Sequence, residues 1–198
     1  MKIIGLTGGI GSGKSMITQY LIDQGIAVID ADQLSRDIVK PSTPGLKKIA
    51  ESFGQEYLLD DGELDRAKMG ELVFKDKEKL SLLNSLLHPI LRAEIKREIE
   101  CFRSKGHTLV ILDAAILIES KMQDLVDEIW LVYADQETQI ERIMKRDGFT
   151  RAQVIARIGS QMPIEEKKKH ADIIIDNNQS PEKTIEQVKK IVSAAESN

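Results

Sequence analysis

Gly8-Gly9-Ile10-Gly11-Ser12-Gly13-Lys14-Ser15 is the stretch that decides the fold. It fits G-x-x-x-x-G-K-[ST]. Before it runs Lys2-Ile3-Ile4-Gly5-Leu6-Thr7, a short apolar segment that reads as a buried strand; behind it Ile17, Tyr20 and Leu21 have helical spacing. Strand, glycine loop and helix in that order turn a string match into a phosphate-binding loop, or P-loop. Glycines leave room for successive backbone N–H groups to turn toward a phosphate, and the helix N-terminus adds unsatisfied donors and a positive dipole end. The expected cradle is Gly11, Ser12, Gly13, Lys14, Ser15 and Met16. Lys14 is expected to reach the β- and γ-phosphates of a nucleoside triphosphate, and the Ser15 hydroxyl to serve Mg²⁺.

Working outward, the chain alternates short apolar runs with helical segments. Candidate strands are 2–7, 26–30, 108–113, 128–133 and 172–176. Such Val/Ile/Leu runs suit parallel strands covered on both faces, and the alternation predicts a doubly wound α/β sheet. Three of the runs end in an acid: Asp30, Asp113 and Asp176. Ligands of open α/β sheets bind at that carboxyl edge. One connection, from Asp30 to Thr108, is too long for a simple crossover and is mostly helical in pattern. Leu64, Met69, Leu72 and Val73 mark one helix, Leu80 to Leu87 a second, and Pro89 is expected to start a third, because Pro fits a first helical turn. An inserted helical lobe of this size suits a bulky acceptor. The expected division is a nucleotide-binding core over 1–32 and 107–198, with a lid at about 142–170, and an acceptor lobe over 33–106.

The 198 residues carry a net charge of −4, which argues against broad electrostatic binding of nucleic acid. The single cysteine, Cys101, cannot form an internal disulfide and suits a reducing compartment. No stretch has the length of a membrane span. A cytoplasmic monomer is expected.

Chemistry beyond the loop starts at Asp30-Ala31-Asp32, where the second strand ends. A carboxylate there could accept the proton of an attacking hydroxyl or support Mg²⁺. If the chain stays extended, the pleat sends Asp30 and Asp32 the same way. Asp32, further past the strand end, is the expected base. Asp113 stands where a metal-supporting acid belongs. Arg142 and Arg146 share a helix face, with Arg151 and Arg157 beyond Gly148. Such arginines clamp phosphates and, on a closing lid, keep water from the reaction. The run Glu165-Glu166-Lys167-Lys168-Lys169 reads as a helix surface.

Four motifs together resemble the dephospho-CoA kinase family: Thr7-Gly8-Gly9-Ile10-Gly11-Ser12-Gly13-Lys14-Ser15, Asp30-Ala31-Asp32 with Arg36, Leu86-Leu87-His88-Pro89, and Asp176-Asn177-Asn178. The resemblance covers essentially the whole chain. It implies a P-loop kinase core with strand order 2-3-1-4-5, a helical acceptor lobe and a lid. It implies transfer of the ATP γ-phosphate, with Mg²⁺, to the ribose 3′-hydroxyl of dephospho-CoA. By the same resemblance Asp32 is the base, Lys14 and Arg142 stabilise the transferring group, and Arg146 assists. Asn177 and Asn178 lie near the adenine, and Arg36 and His88 face the acceptor. Ala115 departs from the family pattern, which often has Pro there, and a less rigid loop is expected after the third strand. Another small-molecule kinase is the nearest rival. A GTPase lacks its residues here, since neither Asp-x-x-Gly nor Asn-Lys-x-Asp occurs.

Overall fold

The computed structural model describes residues 1–196. In chain order the elements are β1 (Lys2–Gly8), α1 (Lys14–Asp23), β2 (Ala27–Asp30), α2 (Ala31–Asp37), α3 (Pro44–Phe53), α4 (Arg66–Lys75), α5 (Lys77–Ser104), β3 (Leu109–Asp113), β4 (Glu128–Tyr133), α6 (Gln136–Asp147), α7 (Arg151–Ile158), α8 (Ile164–Lys168), β5 (Ile173–Asp176) and α9 (Pro181–Glu196). The chain divides into two compact units, Met1–Asp30 with Ile99–Asn198, and Ala31–Glu98.

The first unit is built on a five-stranded sheet of order β2-β3-β1-β4-β5, parallel throughout. The expected strand order is therefore observed. Side chains alternate across a strand, so Ile4 and Leu6 of β1 face one layer, where they join Ile17 and Leu21 of α1, Trp130 and Val132 of β4, and Val188 of α9 in one buried cluster. Gly5 faces the other layer, and a Cβ there would come within 2.6 Å of Leu117 in the segment after β3. Burial on both faces explains the continuous apolar runs of β1, β3 and β4. The edge strand β5 departs from the expectation, since Ile174 is 45% exposed.

The second unit is helical. Its core includes Ile38, Val39, Leu46, Ile49, Met69, Leu91 and Ile95, all buried. Here Pro89 does not start a helix: it lies inside α5, which runs unbroken from Lys77 to Ser104. The start signal is Asp76, whose Oδ1 accepts from the N–H groups of Glu78 and Lys79 at 2.9 and 3.1 Å. Proline removes one helical hydrogen bond. The apolar stripe on either side, Leu83 and Leu87 before it and Leu91 and Ile95 after it, keeps one helical period through the interruption. No helix among the described residues is long and apolar enough to cross a membrane.

Candidate active site

The glycine loop joins β1 to α1, and its backbone takes a shape that demands glycine. Gly11 and Gly13 have φ of 76° and 88°. A Cβ on Gly13 would lie 2.1 Å from the Asn177 amide nitrogen. Gly13 is also the N-cap of α1, with no side-chain cap and no acid in the first turn. The first N–H groups of a helix have no intrahelical partner. Without a capping oxygen or a carboxylate beside them, they form a site suited to an anion.

The loop is braced by the far end of the chain. The Ser12 carbonyl accepts from Asn177 Nδ2 at 2.7 Å and from Arg142 Nη1 at 3.4 Å. Arg142 Nη2 also donates to the Asn177 carbonyl at 2.7 Å. Thr184 of α9 donates to Asn177 Oδ1 at 2.8 Å, so the buried carboxamide is held from both ends. Ser12 Oγ is buried and has no partner among the described residues. Sequence reasoning grouped Arg142 and Asn177 with the nucleotide; the structure adds that both shape the loop itself.

Lys14 forms an ion pair with Asp113, the last residue of β3, and the two side chains are 14% and 7% exposed. Thr18, one turn along α1, donates to the other oxygen of Asp113 at 2.7 Å. In the sheet register Asp113 lies opposite Asp30 of β2 and Leu6 of β1. Two expected metal ligands thus sit on adjoining elements: Asp113 at the end of β3, and Ser15 exposed in the first turn of α1. Both offer hard oxygen donors. Among the described residues no cluster of three or more His, Cys, Asp or Glu side chains could cage a metal.

The remaining arginines are engaged elsewhere. Arg146 makes two bonds to Asp147, at 2.7 and 2.8 Å, and this pairing holds the Asp147 carboxyl below its ordinary range. Arg151 pairs with Glu137 at 2.6 Å. Arg157 stacks over the Phe149 ring at 4.1 Å. Asn178 accepts from the Asp135 N–H at 2.8 Å and donates to Asp176 at 2.7 Å. The helix α6 reaches the loop directly, for a Cβ on Gly11 would meet the Gln139 carbonyl at 2.9 Å. Across the segment that follows, the Ile10 N–H donates to Gln161 Oε1 at 2.8 Å. A cavity of about 400 Å³ lies here, lined by Gly9, Gln139, Ile155, Gln161, Met162 and Ile164 among others.

Two sequence expectations need correction. The chain does not stay extended after Asp30: α2 starts at Ala31, so Asp32 lies in the first turn of a helix and the pleat rule does not reach it. A carboxylate is favoured there by the helix dipole. Lys167 is not on a helix surface. It is fully buried, 2.9 Å from Glu119 Oε1. A run of five charges hides such a residue, because burial of one position cannot be told from the residue types around it. Ala115 follows as a consequence: its carbonyl accepts from both Thr7 Oγ1 and Lys167 Nζ, at 3.2 and 2.8 Å. The loop after β3 is pinned by hydrogen bonds where rigidity from proline is missing.

In the second unit, Arg36 is exposed in α2, and its carbonyl accepts from Arg66 at 3.3 Å. His88 is half-buried in α5; burial, and next the charge of Arg92, lower its pKa below the ordinary imidazole value.

A parallel sheet of this order, carrying a glycine loop with Lys14 and Ser15, defines a P-loop kinase. The family model for dephospho-CoA kinase matches residues 2–183. The chain belongs to the dephospho-CoA kinase family, ATP-dependent transferases of coenzyme A biosynthesis. A dephospho-CoA kinase of Carboxydothermus hydrogenoformans is 48% identical over 192 residues, covering 97% of this chain and 93% of the relative. A crystal structure of a Thermus thermophilus protein superposes with a TM-score of 0.83 at 33% identity, covering 98% of this chain and 97% of that one. The dephospho-CoA kinase of Campylobacter jejuni gives 0.73 at 28% identity, covering 98% and 99%.

Proposed function

We propose the following division of labour for a reaction in which the ATP γ-phosphoryl group passes to the ribose 3′-hydroxyl of dephospho-CoA. The observation that carries it is the uncapped loop Gly8–Ser15, braced through the Ser12 carbonyl by Arg142 and Asn177. Gly11, Ser12, Gly13, Lys14, Ser15 and Met16 border the phosphates. The N–H groups of Gly11, Gly13, Lys14 and Ser15 donate to them, while those of Ser12 and Met16 close the loop on the Gly9 and Gly13 carbonyls at 3.0 and 3.1 Å. Lys14 exchanges Asp113 for the γ-phosphate. Arg142 stabilises the charge of the transferring group; Arg146 exchanges Asp147 for the nucleotide and assists. Asn177 and Asn178 border the adenine. The helical segment 33–106 takes the acceptor, with Arg36 and His88 facing it.

Asp32 accepts the 3′-hydroxyl proton as the new O–P bond forms. The bond from the γ-phosphorus to its bridging oxygen breaks, and ADP leaves. Ser15 and Asp113 would hold Mg²⁺, an ion that takes one or two carboxylates together with substrate phosphates. When bound it neutralises charge on the β- and γ-phosphates. The segment 142–170 closes as a lid and keeps water from competing with the acceptor.

The test is product stoichiometry with Asp32→Asn beside the parent. The parent should form CoA and ADP in equal amounts. The variant should lose about 10²- to 10⁴-fold in turnover, the usual contribution of a general base, while ATP affinity stays near that of the parent. Near-full turnover by the variant would remove Asp32 from the role of base.

A further inference from the structure

A fully buried lysine takes no part in the roles assigned above. Lys167 Nζ lies 2.9 Å from Glu119 Oε1 and donates to the Ala115 carbonyl at 2.8 Å. Each of these acceptors serves a second element. The Ala115 carbonyl also accepts from Thr7 Oγ1 of β1 at 3.2 Å, and Glu119 Oε1 also accepts from the Met162 N–H at 3.2 Å. Thr7 is the residue before the glycine loop begins. Ala115 follows Asp113 by two residues, and Met162 adjoins Gln161, which holds the Ile10 N–H. One ammonium therefore gathers the strand that carries the loop, the segment that carries Asp113, and α8 with the residues before it.

A buried ion pair is poor value for stability alone, since apolar residues of similar volume often replace one without loss. The arrangement here also leaves Glu119 Oε2 buried with no partner among the described residues. Apolar packing would avoid that orphan. What apolar packing cannot do is fix a backbone carbonyl oxygen and a carboxylate oxygen that each hold another element.

We infer that Lys167 is a positioning residue for phosphoryl transfer: through Ala115 and Glu119 it sets the register of the 142–170 segment against the loop and Asp113, so that closure excludes water. This rests on reading 142–170 as a lid. Loss of the brace loosens the site, which misplaces the reacting groups and admits water. A merely structural lysine would alter the amount of folded enzyme and leave the partition of ATP between acceptor and water unchanged.

The experiment measures two rates on the intact enzyme with Mg-ATP and dephospho-CoA: product CoA, and ADP formed in excess of it. The variants are Lys167→Met, Lys167→Arg, and the pair Lys167→Met with Glu119→Leu, which removes both charges and keeps the fold measurable. Transfer by Lys167→Met and by the pair should fall by about tenfold or more, and the ratio of hydrolysis to transfer should rise by roughly fivefold or more. Lys167→Arg should restore both to within about threefold of the parent, because the guanidinium can still donate to both oxygens. A parent-like ratio in the folded pair variant overturns the inference. So does failure of both charge-removing variants to fold, which would make the pair a requirement of the fold. Gln161→Ala separates the two readings. If it leaves the ratio unchanged, the lid reading fails and the inference with it; if it raises the ratio and the Lys167 variants do not, the inference fails alone.

Discussion

The Lys14 ammonium is paired with the Asp113 carboxylate across the first turn of α1 and the end of β3, with Thr18 holding the second carboxylate oxygen at 2.7 Å. The residue expected to meet the γ-phosphate thus has an anionic partner before nucleotide arrives. In the proposed roles, nucleotide binding is an exchange of anions at Lys14, and Asp113, freed of that pair, would be one of the residues to hold Mg²⁺. Asp113→Asn should lower turnover by about 10²-fold, the scale of one electrostatic group at a transition state, and should raise the Mg²⁺ concentration needed for half-maximal rate. Thr18→Val, which loosens Asp113 and removes a 3.1 Å bond to the Lys14 carbonyl, should cost less than about tenfold. A Mg²⁺ titration of all three enzymes checks this; an Asp113→Asn curve that overlays the parent's would count against the metal role.

Arg142 spends its fork on two carbonyl oxygens, of Ser12 and Asn177. Lysine is a point charge and cannot reproduce that geometry. Arg142→Lys should therefore lose roughly 10²-fold in turnover or more, despite its retained charge. Asn177→Ala removes the Nδ2 donor to the Ser12 carbonyl and leaves the Thr184 hydroxyl only its longer contacts to the Asp176 and Ser180 carbonyls, at 3.4 and 3.3 Å. It should cost about 1–3 kcal/mol of stability and weaken ATP binding. Denaturant unfolding and a nucleotide titration read the two effects separately.

Ser12 makes the opposite prediction. Its hydroxyl oxygen is buried with no partner among the described residues. An unsatisfied polar atom carries a desolvation cost, and replacing it with an apolar group is nearly neutral or stabilising. Ser12→Ala should leave the thermal midpoint of the nucleotide-free enzyme unchanged or raised. A clear drop in that midpoint would show that the hydroxyl is satisfied in solution.

His88 titrates below the ordinary imidazole value of 6.5, by burial first and the charge of Arg92 next. Protonation is then harder in the folded chain than in the unfolded one. Its contribution is fully present above that ordinary value and is lost as pH falls through the folded pKa. His88→Gln should therefore lose less thermal stability than the parent between about pH 7.5 and about pH 5. Equal losses in both proteins would remove His88 as a cause.

The first unit was legible because its strands are short apolar runs buried on both faces, with the glycine loop marking β1. The strand order came with the family resemblance, since periodicity does not report which strands are neighbours. Pro89 misled because a proline at a helix start and a proline inside a long helix leave the same local pattern; the cap at Asp76 was the signal that could have decided it. Lys167 was hidden in a charge run, where the apolar moment says nothing about a lysine paired inside the core. Asp32 is singled out by position, but the immediate start of α2 at Ala31 is not legible, because a single acid after a strand serves a loop or a first helical turn equally well.

In the proposed reaction the γ-phosphoryl group held at the braced glycine loop passes to one bulky acceptor. This transfer is tested most directly in one vessel, with Mg-ATP and equal amounts of dephospho-CoA, adenosine and AMP, by following each phosphorylated product. CoA, phosphorylated at the 3′ position, should accumulate first and nearly alone, with ADP matching it. Preferential phosphorylation of adenosine or AMP would contradict that choice of acceptor.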